Sequence, residues 1–283
     1  MTTSMFRSDL LAGQRILITG GGTGIGRSIA SRLLSLGAEV LICGRRETVL
    51  ADTAQALKAE HGGSVLYKTC DVRDSAQVEA LCDWAFESSP LTGLINNAAG
   101  NFIAQSEGLS PRAVDAVLNI VLHGSAYMTL GCGRRWLAAG TKANVLSIIT
   151  TYAWTGSAYV VPSAMAKAGV LAMTRSLAVE WGGRGIRLNA IAPGPFPTAG
   201  AWERLVPKPE LAAAFEAKNP MKRAGQHHEL ADLAAFLMAN DVSYINGEVI
   251  TIDGGEWLQG AGQFNFIGQM MSVADWQALK PKK

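Results

Sequence analysis

The feature that most constrains this chain is a regular alternation of short apolar runs with stretches of helical periodicity. Arg15 to Thr19 (RILIT) is apolar and β-branched and ends in glycines, and Arg27 to Leu36 then carries apolar residues at helical spacing up to Gly37. Further strands are expected at Glu39 to Cys43, Ser64 to Thr69, Leu94 to Asn96, Ala143 to Ile149, Ile186 to Ile191 and near Glu248 to Ile252. Helices are expected at Glu47 to Glu60, Ser75 to Glu87, 112 to 137, 163 to 181 and Glu229 to Met238. Near-uniformly apolar strands separated by helices need cover on both faces, which predicts an α/β fold: a doubly wound, Rossmann-type parallel sheet. No repeat or composition shift divides the 283 residues, so a single domain over residues 1–283 is expected. The proline-rich segment Pro193 to Pro220 breaks the rhythm, with a substrate loop expected at about 195–220 and a tail at about 256–283. Such an insertion at the carboxyl end of a parallel sheet suits a lid, or is a plain surface excursion.

Charge and cysteine usage exclude several partners. The formal charge is +2, and the one basic cluster is Lys280 to Lys283, so no nucleic-acid partner is expected. Cys43, Cys70, Cys82 and Cys132 are widely spaced and read as reduced and buried. His227 and His228 are adjacent and His61 and His123 isolated, with no other ligand type at metal-binding spacing, so no metal is expected. No apolar run reaches the roughly 18 residues of a membrane span, and Met1 to Gln14 lacks the apolar core of a signal peptide. A cytoplasmic, bacterial-type setting is the expectation.

Thr19 to Gly26 (TGGGTGIG) lies between the first strand and the first helix. There, glycines let the backbone approach a pyrophosphate and the helix start supplies N–H groups, so Gly20, Thr23, Gly24, Ile25 and Gly26 are candidate cofactor-binding residues. The second strand ends Cys43-Gly44-Arg45-Arg46. No carboxylate is available there for a ribose 2′-hydroxyl, whereas a guanidinium suits a 2′-phosphate. Arg45 therefore points to NADP(H) as the cofactor.

The spacing of the glycines resembles the short-chain dehydrogenase/reductase family. The resemblance extends through Cys70-Asp71-Val72, Asn96-Asn97-Ala98-Ala99-Gly100, Pro193-Gly194 and Asp253-Gly254-Gly255. It implies that Asp71 flanks the adenine and that Pro193, Gly194, Phe196 and Thr198 clamp the nicotinamide. The usual family chemistry places a Tyr four residues before a Lys. Here Lys167 is present, but position 163 is serine. The usual helix asparagine falls on Val121, with Asn119 two positions short.

An aliphatic hydroxyl is far less acidic than a phenol, whose ordinary pKa is about 10, so Ser163 is poorly suited to the proton exchange of carbonyl reduction. Either catalysis has been lost, leaving a non-catalytic NADP(H)-binding regulator, or the hydride transfer needs no proton on oxygen. Addition to a conjugated thioester meets the second condition, because negative charge then collects on the carbonyl oxygen and hydrogen-bond donors suffice. Asn101 and Tyr152, both at carboxyl ends of strands, offer such donors.

Asn96 to Phe102 (NNAAGNF), Thr151-Tyr152-Ala153, Thr155-Gly156-Ser157, Val160 to Ser163, Ala166 to Gly169 and Ile245-Asn246-Gly247 together resemble the mitochondrial type of NADPH-dependent 2,4-dienoyl-CoA reductases. The resemblance implies that Tyr152 and Asn101 hold the thioester oxygen, that Lys167 bonds the nicotinamide ribose, and that Ser163 fixes the network. It also implies substrate contacts from Arg73 and Arg204, an acyl-CoA substrate, a 3-enoyl-CoA product in unsaturated fatty-acid β-oxidation, and a homotetramer built through the helices around 112–137 and 163–181. A trans-2-enoyl-CoA reductase and a carbonyl reductase using Tyr152 are the competing activities. The acyl chain would be covered by Phe196 to Phe215, with Trp202 and Leu205, or by the last 28 residues, with Phe264, Phe266, Ile267 and Trp276, which could instead pack against a neighbouring subunit.

Overall fold

The computed structural model describes residues 4–198 and 208–279. Seven strands form one all-parallel sheet: β1 (Arg15–Thr19), β2 (Glu39–Gly44), β3 (Val65–Thr69), β4 (Gly93–Asn96), β5 (Ala143–Ile148), β6 (Ile186–Pro193) and β7 (Val249–Ile252). Their order is β3-β2-β1-β4-β5-β6-β7. The chain starts at β1, winds outward to β3, then crosses back to β4, so a crevice opens between the carboxyl ends of β1 and β4.

Alternation of side chains along each strand builds a separate core on each face. Ile16 and Ile18 of β1 and Val40 and Ile42 of β2 face one layer, formed with α1 (Gly24–Ser35), α2 (Glu47–His61) and, near the end of the chain, a helix at His227–Met238. Leu17 and Leu41 face the other, packing with α3 (Ser75–Glu87) and with the long helices that follow β4 and β5. A third cluster joins Val117, Val121, Ile149, Ala166 and Val170 with Phe102 beneath the ends of β4, β5 and β6. All four cysteines are free and buried.

The helix between β4 and β5 departs from the expected uniform span. It runs as α4 (Pro111–Leu118), a π turn at Asn119–His123, and α5 (Gly124–Ala139). Taken as one helix, Pro111–Ala139 is long and apolar enough to cross a membrane by length and composition only, with a window of mean hydropathy 1.2, although Asn119 and His123 interrupt its apolar residues, so no unbroken apolar run reaches that length. Met128, Cys132 and Trp136 on this run are fully buried in the second core, so those residues pack against the sheet. After β5 come the one-turn helix α6 (Tyr152–Thr155) and α7 (Val161–Gly182). Past β6 the chain forms α8 (Pro209–Lys218) and α9 (His227–Met238), and β7 leads into α10 (Glu256–Ala261) and α11 (Val273–Ala278).

The first helix starts three residues before the expected Arg27, so Gly24 and Gly26 lie inside its first turn. Glycine's poor helix propensity hides that start in a sequence pattern, while the missing side chains are what allow the turn to lie close against β1 and β4.

Candidate active site

The glycine cradle closes against the turn that follows β4. A side chain at Gly26 would place its Cβ 2.4 Å from the Gly20 carbonyl oxygen and 2.5 Å from Asn97 Nδ2, so only glycine fits. Gly24 adopts φ +53°, and a Cβ there would lie 3.2 Å from the Thr198 methyl. Thr19 Oγ1 accepts the backbone N–H groups of Asn97 and Ala98, both at 3.0 Å, and Asn97 Nδ2 donates to the Thr19 carbonyl at 2.9 Å. The first turn of α1 lacks a side-chain cap: Thr23 is exposed and caps nothing. Ile25 is half-buried against the first core. This is a backbone-lined hollow with unpaired N–H groups at a helix start, the geometry that accepts a pyrophosphate.

At the ends of β2 and β3, Arg45 is exposed and Asp71 is paired with Arg73, whose Nε lies 2.9 and 3.0 Å from the two carboxylate oxygens. Arg73 holds the Asp71 carboxyl below its usual range, opposed by partial burial and helped by Arg45. The Arg73 side chain keeps 42% of its surface exposed. On the other side of the cradle, β6 ends at Pro193 and the Gly194 N–H donates to the Ile252 carbonyl at 3.0 Å. Phe196 is buried, and Thr198 sits over Gly24. Arg204, with Trp202 and Leu205, lies outside the described residues.

Beside the crevice, three residues from three elements meet. Asn101, five residues past β4, donates from Nδ2 to the Tyr152 hydroxyl at 3.3 Å. Its own Oδ1 accepts the Phe102 N–H at 2.9 Å, which fixes the amide so that the donor end faces Tyr152. The Tyr152 hydroxyl lies 3.0 Å from Ser163 Oγ. Burial pushes the Tyr152 phenol above its ordinary value, partly offset by the hydroxyls of Ser163 and Thr150.

Lys167 follows Ser163 by one helical turn and is buried, its Nζ donating to the Ile148 carbonyl at the end of β5. Burial lowers its pKa to about 8. Neither Val121 nor Asn119 joins this group: Val121 is buried, and Asn119 Oδ1 pairs with His123 Nδ1 at 2.8 Å. A π turn spans Asn119–His123 at this point, and the position of the helix asparagine is held by Val121.

Several supporting groups escaped the sequence reading: Thr19 and Asn97, which tie cradle to turn, and Thr150 and the Ile148 carbonyl, which border Tyr152 and Lys167. Thr19 and Asn97 stand inside the motifs, but their bonds join elements far apart in the chain. Trp154 and Trp257 meet edge to face with ring centres 5.8 Å apart, bringing α10 beside α6.

Residues 20–256 match the family model described as enoyl-(acyl carrier protein) reductase. The chain is 42% identical over 245 residues to the probable 2,4-dienoyl-CoA reductase, (2E)-enoyl-CoA-producing, of Bacillus subtilis, covering 86% of this chain and 96% of the relative. It is also 42% identical over 257 residues to the probable 2,4-dienoyl-CoA reductase 3, (3E)-enoyl-CoA-producing, of Caenorhabditis elegans, covering 89% and 83%. Among solved structures it resembles a gluconate 5-dehydrogenase of Burkholderia cenocepacia in complex with NADP and tartrate, at TM-score 0.83 and 28% identity over 89% of this chain and 98% of that one. With a cradle, sheet order and sequence match that agree from end to end, the chain belongs to the short-chain dehydrogenase/reductase family of oxidoreductases.

Proposed function

We propose that this chain reduces 2,4-dienoyl-CoA thioesters to 3-enoyl-CoA with NADPH, in the oxidation of unsaturated fatty acids. The observation that carries this reading is the Tyr152 hydroxyl held between Asn101 Nδ2 and Ser163 Oγ, a donor group with no acid of low pKa in it. The backbone-lined hollow at Gly20, Thr23, Gly24, Ile25 and Gly26 would hold the cofactor's pyrophosphate, with Arg45 for its 2′-phosphate, Asp71 for the adenine, and Pro193, Gly194, Phe196 and Thr198 for the nicotinamide. When bound, NADPH supplies a hydride to the δ carbon of the substrate.

The two electrons of the new C–H bond displace the diene electrons toward the thioester, leaving a dienolate with its charge on the carbonyl oxygen. Tyr152 and Asn101 donate hydrogen bonds to that oxygen, and each such donor typically contributes about 3 kcal/mol to the transition state. Ser163 holds the phenol in place, and the Lys167 ammonium supports the ribose and the negative charge. Protonation from water at the α carbon gives the 3-enoyl product; at the γ carbon it would give the 2-enoyl product that the name of the Bacillus subtilis relative carries. Arg73, paired with Asp71 but partly exposed, would contact a CoA phosphate, a role the resemblance also gives Arg204, which lies outside the described residues.

NADPH oxidation with 2,4-hexadienoyl-CoA and 2,4-decadienoyl-CoA, followed by chromatographic assignment of the product double bond, tests this reading. The enoyl-reductase description of the matching family model favours one other substrate, a trans-2-enoyl thioester reduced at its β carbon. A rate with trans-2-hexenoyl-CoA above that with hexadienoyl-CoA would establish it instead. The chain would work as a homotetramer: Leu130 on α5 and Met165 and Val179 on α7 are 40%, 51% and 87% exposed, an apolar face suited to other copies. Light scattering showing a stable monomer would refute that assembly.

A further inference from the structure

Helix α9 begins with a histidine that no motif accounts for, and its ring bridges two parts of the cofactor crevice 30 and 199 residues away in sequence. His227 Nδ1 lies 3.0 Å from Ser28 Oγ, on the helix that opens with the glycine cradle, and His227 Nε2 lies 2.8 Å from the Pro197 carbonyl, between Phe196 and Thr198. Ser28 Oγ also reaches the Gly24 carbonyl at 3.2 Å. A carbonyl oxygen only accepts, so Nε2 carries a proton and donates to Pro197, while Nδ1 meets the Ser28 hydroxyl, whose one hydrogen also has the Gly24 carbonyl within reach. The same corner has two further ties: the Gly225 N–H donates to the Pro195 carbonyl at 2.9 Å, and Thr198 rests on Gly24.

From this geometry we infer that His227 is a positioning residue, a clasp that holds the segment Pro195–Thr198 against the helix of the glycine cradle and so sets the affinity for the nicotinamide half of the cofactor. The inference rests on the reading that this segment clamps the nicotinamide of NADP(H). The clasp does not touch the cofactor. It acts through the Pro197 carbonyl, whose placement fixes Phe196 and Thr198 on either side.

The two halves of the cofactor separate this role from a general one in stability. 2′,5′-ADP occupies the cradle and the Arg45 end without reaching the clamp, whereas NADPH needs both. Dissociation constants of both compounds would be measured by calorimetry on wild type and on His227→Phe, His227→Gln and Ser28→Ala. His227→Phe keeps a planar ring without nitrogens and should weaken NADPH about tenfold, the equivalent of one or two hydrogen bonds, while 2′,5′-ADP binds within twofold of wild type. His227→Gln, whose amide nitrogen reaches the place of Nε2, should restore most of the NADPH affinity, and Ser28→Ala should fall between. Equal weakening of both compounds, or unchanged NADPH affinity in His227→Phe, would overturn the clasp. A wild-type protein that binds neither compound would overturn the cofactor reading itself, and the clasp with it.

Discussion

The Tyr152 hydroxyl and Ser163 Oγ stand 3.0 Å apart although they belong to different helices, one opening a single turn after β5 and the other opening the long helix behind it. The pair places a phenol beside a serine at the position where the family ordinarily has tyrosine, and Asn101 completes it from a third element.

If this group anchors a thioester oxygen, removal of either donor should slow the chemical step and leave cofactor binding intact. Tyr152→Phe and Asn101→Ala are each expected to lower kcat with 2,4-hexadienoyl-CoA about a hundredfold or more. Steady-state kinetics with an NADPH titration by fluorescence checks both halves. A loss under threefold would remove the donor from the mechanism.

Lys167 carries the pH dependence. Its pKa of about 8 means that the ammonium is lost as pH rises through that value, so kcat/KM should fall on the alkaline side of about 8. Stability moves the other way. Burial lowers this lysine from its ordinary 10.5, so between about 8 and 10.5 the unfolded chain binds more protons than the folded one, and this group makes the protein more stable as pH rises. Thermal melts of wild type and Lys167→Met across that window should show the gain in wild type and its absence in the variant.

Arg45 is the expected source of cofactor preference. Arg45→Asp replaces a donor for the 2′-phosphate with a carboxylate suited to a ribose hydroxyl, and should lower the NADPH-to-NADH ratio of kcat/KM by about a hundredfold. An unchanged ratio would reassign the phosphate site.

Gly26 is a packing test independent of activity. Its absent Cβ would stand 2.4 Å from the Gly20 carbonyl, so Gly26→Ala must push the cradle off the β4 turn. Denaturant unfolding should show a loss of about 1–3 kcal/mol together with weakened NADPH binding.

Much of this architecture was legible in the chain because the signals are local. Arg15–Thr19 and Ser75–Glu87 appear with the expected bounds, since strand and helix periodicities with a clear stop need no tertiary information. Asn101 and Tyr152 could be named from their positions past strand ends, Ser163 and Lys167 from the resemblance to the family's Tyr-to-Lys spacing, and three of the four converge through hydrogen bonds. What stayed hidden is non-local or rests on glycine. The start of α1 at Gly24 is masked by glycine's poor helix propensity, and the reach of His227 to Ser28 and the tie of Asn97 to Thr19 depend on how distant backbone segments settle against one another.

The junction between Tyr152 and Ser163 also constrains the routes along which such a chain can change its chemistry. A phenol introduced at position 163 would start 3.0 Å or less from the place of the Tyr152 hydroxyl and crowd it. Attempts to convert this scaffold into a ketone reductase by laboratory selection should therefore begin by vacating position 152.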